Sequence, residues 1–180
     1  MGELDEWKHC PRCAVEVEIE DGRVDCPSCG FRTWASSKPT ACALCAQEGR
    51  LLLVRRAGDP FRGYWDLPGG FLDEGEHPLD ALKREVLEET SLEVEPEDFI
   101  GIWMDWYGSG PGAHATLNTY WTARVLSGEA TAADDVSETA WFAPDEIPPP
   151  SECAFHIAEV ISAWRSMSDV SSGQFRRTPG

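Results

Sequence analysis

Three glutamates in the middle of the chain have a spacing suited to metal binding. Glu85, Glu88 and Glu89 occupy positions i, i+3 and i+4, which project from one face of an α-helix. Like charges at this spacing repel each other, and the negative end of the helix dipole adds to the repulsion. Three carboxylates held in this way suit Mg²⁺ or Mn²⁺, which complete their coordination with water and phosphate. The alternative is a solvated acidic face.

The helix that carries these glutamates is predicted to run from Pro78 to about Thr90. Proline is favoured at a first helical position, because its φ angle suits that position and its missing N–H is not needed there. His77 is the predicted cap before it. The apolar residues recur at helical spacing and are predicted to be buried: Leu79, Leu82 and Val86.

The stretch from Gly70 to Leu92 resembles the Nudix box. Glu76 follows Gly70 after five residues, and the run Arg84-Glu85-Val86-Leu87-Glu88-Glu89-Thr90-Ser91-Leu92 follows Glu76 after seven. Ser91 stands where the family has glycine, at a helix end that favours a left-handed residue. The resemblance implies an α/β (α+β) fold: the Nudix α/β/α sandwich with a mixed β-sheet.

The same resemblance implies a reaction and roles for individual residues. The family hydrolyses nucleoside diphosphates linked to another moiety, with Mg²⁺ or Mn²⁺ as the cofactor. The implied metal ligands are Glu85, Glu88 and Glu89. Arg84 would orient these carboxylates, Glu76 would support the loop, and Gly70 belongs to the loop at the binding site. A further carboxylate near the last strand often assists the metals or activates water in this family, and Glu138 is the candidate.

Four cysteines near the start of the chain form a second motif. Cys10-Pro-Arg-Cys13 and Cys26-Pro-Ser-Cys29 are Cys-x-x-Cys pairs separated by twelve residues, with an alternating strand and an Asp21-Gly22 turn between them. Two such pairs supply the four thiolates of a structural zinc site, and the segment resembles a zinc ribbon. The alternative is two disulfides. A ribbon would brace the next domain, form a homodimer contact or hold a partner.

The chain is predicted to divide into a zinc ribbon (1–35), a Nudix domain (36–168) and a disordered tail (169–180). Residues 36–40 have the composition of a linker. Strands are predicted at 41–46, 51–55, 100–106, 115–126 and 139–142, and a closing helix at 152–167. Three further cysteines are interpreted as buried core thiols, the last of them on the closing helix: Cys42, Cys45 and Cys153.

Substrate contacts are predicted from two places around the box. Arg55 and Arg56 end a strand near the expected site, where one guanidinium would bind a phosphate or form a surface ion pair. The glycine-rich loop before His114 is a natural place for substrate selection. His114 is either a general base or a loop residue with no role. The aromatic side chains before the loop would stack on a base or belong to the core: Trp103, Trp106 and Tyr107.

The charge balance limits the partners that the chain is expected to bind. The net charge is −17, from 32 acidic and 15 basic residues, which argues against duplex nucleic acid or an anionic membrane as a partner. A polyphosphate substrate would be repelled unless metal ions neutralise it. There is no run of 18 apolar residues, and the acidic start lacks the apolar core of a signal peptide. A cytoplasmic location is therefore expected.

Two kinds of function are consistent with these motifs. The first is an enzyme that hydrolyses the pyrophosphate bond of a nucleoside diphosphate derivative, with ADP-ribose or a related nucleotide sugar as the best candidate. A ribbon before the box is similar to the architecture of NADH-type pyrophosphatases, although their Ser-Gln-Pro-Trp-Pro-Phe-Pro-x-Ser array is absent from this sequence. The second is a nucleotide-sensing regulator or adaptor without turnover that docks through its ribbon. RNA binding by the ribbon is a third interpretation.

Overall fold

The computed structural model describes residues 3–110 and 112–172 of the chain. The N-terminal segment forms a small antiparallel sheet of three strands: β1 (Ile19–Glu20), β2 (Arg23–Asp25) and β3 (Arg32–Trp34). It has its own small apolar core, in which Leu4, Val17 and Val24 pack with the cysteines. The predicted hairpin is present, with Asp21 and Gly22 at its turn.

A sheet of seven strands forms the main body of the protein: β4 (Lys38–Gln47), β5 (Arg50–Arg56), β6 (Trp65–Asp66), β7 (Gly69–Phe71), β8 (Glu93–Tyr107), β9 (His114–Ser127) and β10 (Val136–Phe142). Five strands lie in the order β10-β5-β4-β9-β8, while β6 pairs with β5 and β7 pairs with β4. β4 and β9 are parallel and the other pairs are antiparallel. The predicted mixed sheet is confirmed.

One α-helix covers each face of this sheet. α1 (Pro78–Thr90) packs on one face and α2 (Ile157–Ser172) on the other, so two apolar cores form. Successive side chains of a strand point to opposite faces, and β4 contributes to both cores. Ala43 and Cys45 pack under α1, whereas Leu44 packs under α2. The predicted α/β/α sandwich is confirmed, and Cys42 and Cys45 point to opposite faces as expected.

Three boundaries differ from the sequence-based expectation. Residues 38–40 of the predicted linker belong to β4, because they pair with β7 and β9. α2 begins at Ile157, and a short 3₁₀ turn (Pro150–Glu152) precedes it, so Cys153 is buried as expected but lies before the helix. α2 also extends into the segment predicted to be a tail, and residues 173–180 of that segment lie outside the described residues.

No helix among the described residues combines the length and the apolar character needed to cross a membrane.

Candidate active site

The two ends of α1 fix the helix that carries the glutamates. His77 caps the start, where its Nδ1 accepts a hydrogen bond from the backbone N–H of Leu79 at 3.2 Å. Ser91 ends the helix in the left-handed conformation, with φ of 61°, and its N–H donates to the carbonyl of Leu87. Leu82 and Val86 are fully buried against the sheet. The helix face next to these buried residues therefore places Glu85 and Glu89 beside strand β7.

Two of the three glutamates contact the glycines of β7. Glu89 is only 6% exposed, and its Oε2 accepts a hydrogen bond from the backbone N–H of Gly69 at 2.9 Å. Glu85 lies so close to Gly70 that a Cβ atom there would be 2.5 Å from the Glu85 carboxyl carbon. Gly70 thus allows the close approach of Glu85, whereas a Cβ atom at Gly69 would lie 2.4 Å from the carbonyl oxygen of Ala41 in β4. Glu88 lies on the exposed side of the helix.

Arg84 connects the glutamates of the box to one another. Its guanidinium donates to both carboxylate oxygens of Glu76, at 2.9 and 2.8 Å, and to Glu85 at 2.7 Å and Glu88 at 3.2 Å. Glu76 also accepts a hydrogen bond from the N–H of Asp73 in the loop. The hydrogen bonds from Arg84 lower the pKa of Glu76 to about 2. The structure thus joins four of the predicted box residues through Arg84, while Glu89 is held separately by the Gly69 N–H.

A cavity of about 280 Å³ opens beside this network. One end of the cavity is strongly acidic, because Glu85 and Glu89 of the helix meet Asp66 of β6 and Asp135 of the loop before β10. That loop is tied to the end of α1, since the N–H of Ala133 donates to the carbonyl of Glu89 at 3.0 Å. Its attachment places Asp135 next to the helix carboxylates.

Arg56 supplies a cation to the same cavity, next to Asp66. Its side chain is 16% exposed and its NH1 donates to Asp66 Oδ2 at 3.1 Å, while its Nε donates to the carbonyl of Pro60 at 2.7 Å. Its NH2 donates to the hydroxyl of Tyr107 at 3.3 Å. Two guanidinium hydrogens remain after these bonds, because the group carries five N–H donors. A partly buried arginine with two N–H groups unused matches the geometry of a phosphate.

Burial and mutual repulsion make the acidic end unfavourable for negative charge. Burial raises the pKa of Glu89 well above its usual value despite the hydrogen bond from Gly69, and raises the pKa of Glu85 against the opposing effect of Arg84. Burial also raises the pKa of Asp66 to about 6, against the opposing charge of Arg56. A divalent cation would favour the ionised form of these carboxylates, as hard oxygen ligands require.

The donor set of the acidic end fits Mg²⁺ or Mn²⁺, the metals that Nudix hydrolases use. All the donors are carboxylate oxygens, which are the ligands that these hard cations prefer. Arg84 lies between Glu85 and Glu88 and contacts both of them. Among the described residues, the group of three or more ligand side chains within 4.8 Å of one another is the cysteine cluster, so the carboxylates do not form a closed cage. Such an open site leaves coordination positions for water and substrate phosphate.

The four cysteines of the N-terminal segment fit a structural zinc ion. Their sulphur atoms all lie within 4.8 Å of one another, with Cys10 and Cys29 at 3.7 Å and Cys13 and Cys26 at 3.5 Å. A tetrahedral site with Zn–S bonds of about 2.3 Å has sulphur atoms about 3.8 Å apart. A hydrogen bond from the backbone of Cys29 lowers the pKa of the Cys26 thiol to about 6, which favours the metal-binding thiolate.

Four further residues proposed from the sequence do not line the cavity. Glu138 on β10 pairs with Arg55 on β5 at 3.1 Å, and half of its side chain is exposed, so these two residues form the surface ion pair that was the alternative for Arg55. Trp106 is 50% exposed on the face of β8 opposite to Tyr107. Trp103 packs against Tyr120 in the core beneath α2.

The ring of His114 stacks on the ring of Tyr107, with centroids 5.6 Å apart. Its Nδ1 lies 3.1 Å from the carbonyl of Gly112. His114 is not among the residues that line the cavity.

Several cavity residues were not identified from the sequence. Asp66 ends the short strand β6, and Asp135 comes directly before β10, a few residues from the predicted strand at 139–142. The neutral polar side chains of β4 and β9 carried no motif: Thr40, Thr116 and Asn118. Their alternation along β9 (116, 118, 120) was a visible signal for a shared face, although not for a site.

Comparison with known proteins gives consistent results. The NUDIX domain matches residues 37–164. An ADP-ribose pyrophosphatase of Methanocaldococcus jannaschii is 31% identical over 118 residues, which is 66% of this chain and 67% of that protein. The NAD-capped RNA hydrolase NudC of Pseudomonas aeruginosa is 28% identical over 165 residues, and the match covers 88% of this chain but only 57% of NudC.

A solved structure resembles nearly the whole chain. The crystal structure of a NUDIX hydrolase from Nitrosomonas europaea superimposes with a TM-score of 0.75 at 28% identity, covering 93% of this chain and 94% of that one. The NUDIX match itself begins at residue 37, so it does not include the cysteine segment. The predicted family and fold are confirmed: the chain belongs to the NUDIX domain family.

Proposed function

We propose that the protein is a Mg²⁺- or Mn²⁺-dependent hydrolase of the pyrophosphate bond in nucleoside diphosphates linked to another moiety. The observation that carries this proposal is that Glu85, Glu89 and Arg56 line the same cavity. The carboxylates can hold a cation and the guanidinium can bind a phosphate. A diphosphate bridging the two would have its charge balanced from both sides.

The residues of the chain have separate tasks in this reaction. Arg84 holds Glu85 and Glu88 in place, and the Gly69 N–H holds Glu89. A metal ion bound by these glutamates would neutralise charge and lower the pKa of a coordinated water. Arg56 binds a phosphate through its two remaining N–H groups and orients the diphosphate for in-line attack.

Asp135 is the carboxylate we propose for accepting the proton of the attacking water. It lines the cavity beside the box helix, whereas Glu138 pairs with Arg55 outside it. The loop that carries Asp135 is anchored on two sides, because the N–H of Ala57 donates to the Asp135 carbonyl at 2.8 Å and the N–H of Ala133 donates to the carbonyl of Glu89. These contacts hold the backbone of Asp135 in position relative to the metal ligands.

We propose ADP-ribose as the first substrate to test. The relative from Methanocaldococcus jannaschii is named an ADP-ribose pyrophosphatase, and NudC is named a NAD-capped RNA hydrolase. ADP-ribose and the NAD cap each contain an adenosine diphosphate unit. A panel of ADP-ribose, other nucleotide sugars and dinucleotides, with the products separated by chromatography, would rank these candidates.

Two glutamine variants test the proposal. Glu88→Gln and Glu89→Gln each replace a charged ligand by a neutral side chain of the same shape, and in the second variant the new amide oxygen would still accept from the Gly69 N–H. We expect kcat for ADP-ribose in saturating Mg²⁺ to fall about 10³-fold, the upper range for removing one preorganised charge. Glu95→Gln is the control, because Glu95 pairs with Lys83 on the surface and its loss should leave kcat unchanged.

Two results would contradict the proposal. Near-normal hydrolysis by both site variants would show that these glutamates do not hold the catalytic metal. Tight nucleotide binding by the wild-type protein, without turnover in either metal, would instead support the nucleotide-sensing regulator.

A further inference from the structure

Asp66 is a buried carboxylate that has no task in the hydrolytic mechanism described above. It ends β6, lines the cavity and is 7% exposed. Its Oδ1 accepts a hydrogen bond from the backbone N–H of Leu67 at 2.8 Å, and its Oδ2 accepts one from Nη1 of Arg56 at 3.1 Å. Burying a carboxylate costs free energy unless the group is paired and hydrogen-bonded. The positions of Asp66 and Arg56 are therefore linked.

The register of β5 and β6 places Asp66 beside Arg56. In this antiparallel pair Val54 lies opposite Asp66, and Arg55 lies opposite Trp65. Side chains of a strand alternate between its two faces, so Arg56 shares the face of Val54 and Asp66. Arg56 and Asp66 are thus diagonal neighbours, a separation that a long side chain spans. Arg55 points to the other face, where its guanidinium lies 4.6 Å from the centroid of the Trp65 ring.

Arg56 is held through each of its three guanidinium nitrogens. Its Nε donates to the carbonyl of Pro60 at 2.7 Å, Nη1 donates to Asp66, and Nη2 donates to the hydroxyl of Tyr107 at 3.3 Å. The ring centroids of Phe155 and Tyr107 lie 5.2 and 5.8 Å from Cζ of Arg56, distances at which a cation and an aromatic ring attract each other. A guanidinium has five N–H donors, so one remains on Nη1 and one on Nη2. Two such donors match two oxygens of one phosphate.

Asp66 is the charged member of the three hydrogen-bond partners of Arg56, because the Pro60 carbonyl and the Tyr107 hydroxyl are neutral. A hydrogen bond between charged groups is stronger than one to a neutral acceptor. Holding an arginine in one conformation must offset the rotamer freedom that its long side chain loses. The Asp66 carboxylate is suited to this, since the Leu67 N–H fixes its other oxygen. A carboxylate repels an anionic substrate, so a contribution of Asp66 to substrate binding must act through Arg56.

We propose that Asp66 is a positioning residue, which holds Arg56 so that its two unused N–H groups bind a phosphate of the substrate. This rests on the proposed function, in which Arg56 binds the diphosphate. Metal binding is left to the helix glutamates, because one oxygen of Asp66 is bonded to Leu67 and the other to Arg56. Asp66 therefore controls the affinity for the diphosphate, whereas the helix glutamates control its turnover.

Binding of ADP to the full chain in Mg²⁺, measured by calorimetry, tests this role. Asp66→Asn keeps the size of the side chain and an oxygen for the Leu67 N–H, but it loses the charge. We expect the Kd of ADP to rise about tenfold, since a charge-assisted hydrogen bond to the phosphate-binding arginine is weakened. Glu146→Gln is the matched control, because Glu146 pairs with Arg50 on the surface at the start of β5. It should bind ADP as the wild-type protein does.

A double variant shows whether Asp66 acts through Arg56. Arg56→Gln alone should weaken ADP binding at least about tenfold, because it removes the donors to the phosphate. Adding Asp66→Asn should weaken binding no further, since two residues that act as one unit have non-additive effects. The double variant leaves neither buried charge unpaired, so its comparison with Arg56→Gln tests the coupling even where Asp66→Asn alone folds poorly.

Two further measurements separate positioning from a direct role at the metal. The Mn²⁺ affinity of Asp66→Asn, measured by electron paramagnetic resonance, should equal that of the wild-type protein. For ADP-ribose, KM of Asp66→Asn should rise about tenfold while kcat stays within about threefold, which is the pattern for a lost binding contact.

The outcomes separate this role of Asp66 from the proposed activity. An unchanged Kd of ADP in Asp66→Asn overturns the role, even if ADP-ribose is hydrolysed. Weaker ADP binding by the double variant than by Arg56→Gln also overturns it, because Asp66 would then act independently of Arg56. A loss of Mn²⁺ affinity in Asp66→Asn overturns it as well, since Asp66 would then bind the metal. Coupled effects on ADP binding without any hydrolysis of ADP-ribose support the role and contradict only the proposed activity.

Discussion

Gly70 shows how one residue without a side chain controls the position of Glu85, a carboxylate proposed to bind the metal. The backbone of β7 passes so close to α1 that Glu85 occupies the space where a Cβ atom would lie. Glu85 is held from the other side by Arg84. Its carboxylate is therefore fixed between a backbone and a guanidinium, and a change at Gly70 should act on catalysis before it acts on stability.

Gly70→Ala should lower kcat for ADP-ribose about 10²-fold, because the new methyl group must displace the Glu85 carboxylate. The Mn²⁺ affinity, measured by electron paramagnetic resonance, should fall with it. Gly58→Ala is the matched control, since a methyl group at Gly58 would meet no heavy atom within 4 Å and the φ angle there is not left-handed. Equal kcat for the two variants would show that the position of Glu85 does not limit the reaction.

Residues on the helix could be predicted more reliably than residues on the strands. A helix brings together side chains that are close in sequence, so the spacing of Glu85 and Glu89 was sufficient. Which of Arg55 and Arg56 faces the cavity depends instead on the register of β5, and a shift of one residue reverses the answer. The bulge in β10 between Val136 and Glu138 likewise changes which side chains of that strand face the cavity. Neither the register nor the bulge has a local signal in the sequence.

At the scale of elements, α1 stands out because its C-terminal end departs from the family pattern. Ser91 adopts the left-handed conformation that glycine takes at lower cost. The helix still ends in the expected place, because the Ser91 N–H donates to Leu87 and the adjoining loop bonds to Thr90 through the N–H of Thr131. Surrounding contacts therefore compensate for the serine, but some strain should remain.

Ser91→Gly should raise the free energy of unfolding by about 0.5 kcal/mol, because relief of a left-handed residue slightly exceeds the entropy that glycine loses on folding. Urea denaturation followed by circular dichroism would measure the change. Ser91→Ala keeps the Cβ atom and should give no gain. A stability of Ser91→Gly at or below that of Ser91→Ala would contradict the strain at this helix end.

The five strands predicted for the main sheet are present in approximate position among its seven, but their ends differ. β4 begins at Lys38 and not at 41, because its first residues pair with β7 and β9, which lie far away in the sequence. The same non-local pairing explains why residues 36–40, with linker composition, belong partly to a strand. Cys153 was expected on a helix, yet it lies beside Trp65 in an isolated bridge.

For the whole molecule, the main question is how the cysteine segment relates to the catalytic domain. The segment buries few apolar side chains, and so small a unit usually needs a metal ion to fold. The catalytic domain has two cores of its own on either side of the sheet. Loss of zinc should therefore unfold the segment and leave the catalytic cores intact.

The wild-type protein should contain one zinc ion per chain by atomic absorption, and Cys26→Ala should contain much less, because three thiolates no longer close the tetrahedron. The kcat of Cys26→Ala in Mg²⁺ should stay within about threefold of the wild-type value, because the two cores of the main domain do not include the cysteine segment. Cys153→Ala is the control, as this buried thiol lies outside the cluster and its loss should not change the zinc content. A full zinc complement in Cys26→Ala would rule out the four-thiolate site.

The short connection between the two sheets limits how freely the cysteine segment can move. β3 ends at Trp34 and β4 begins at Lys38, and the Lys38 ammonium group also lies 3.3 Å from the carboxylate of Glu3 near the start of the chain. Two residues further along β4, Thr40 lines the cavity. A partner that binds and displaces the cysteine segment would therefore also displace β4, because the connection is too short to absorb the movement.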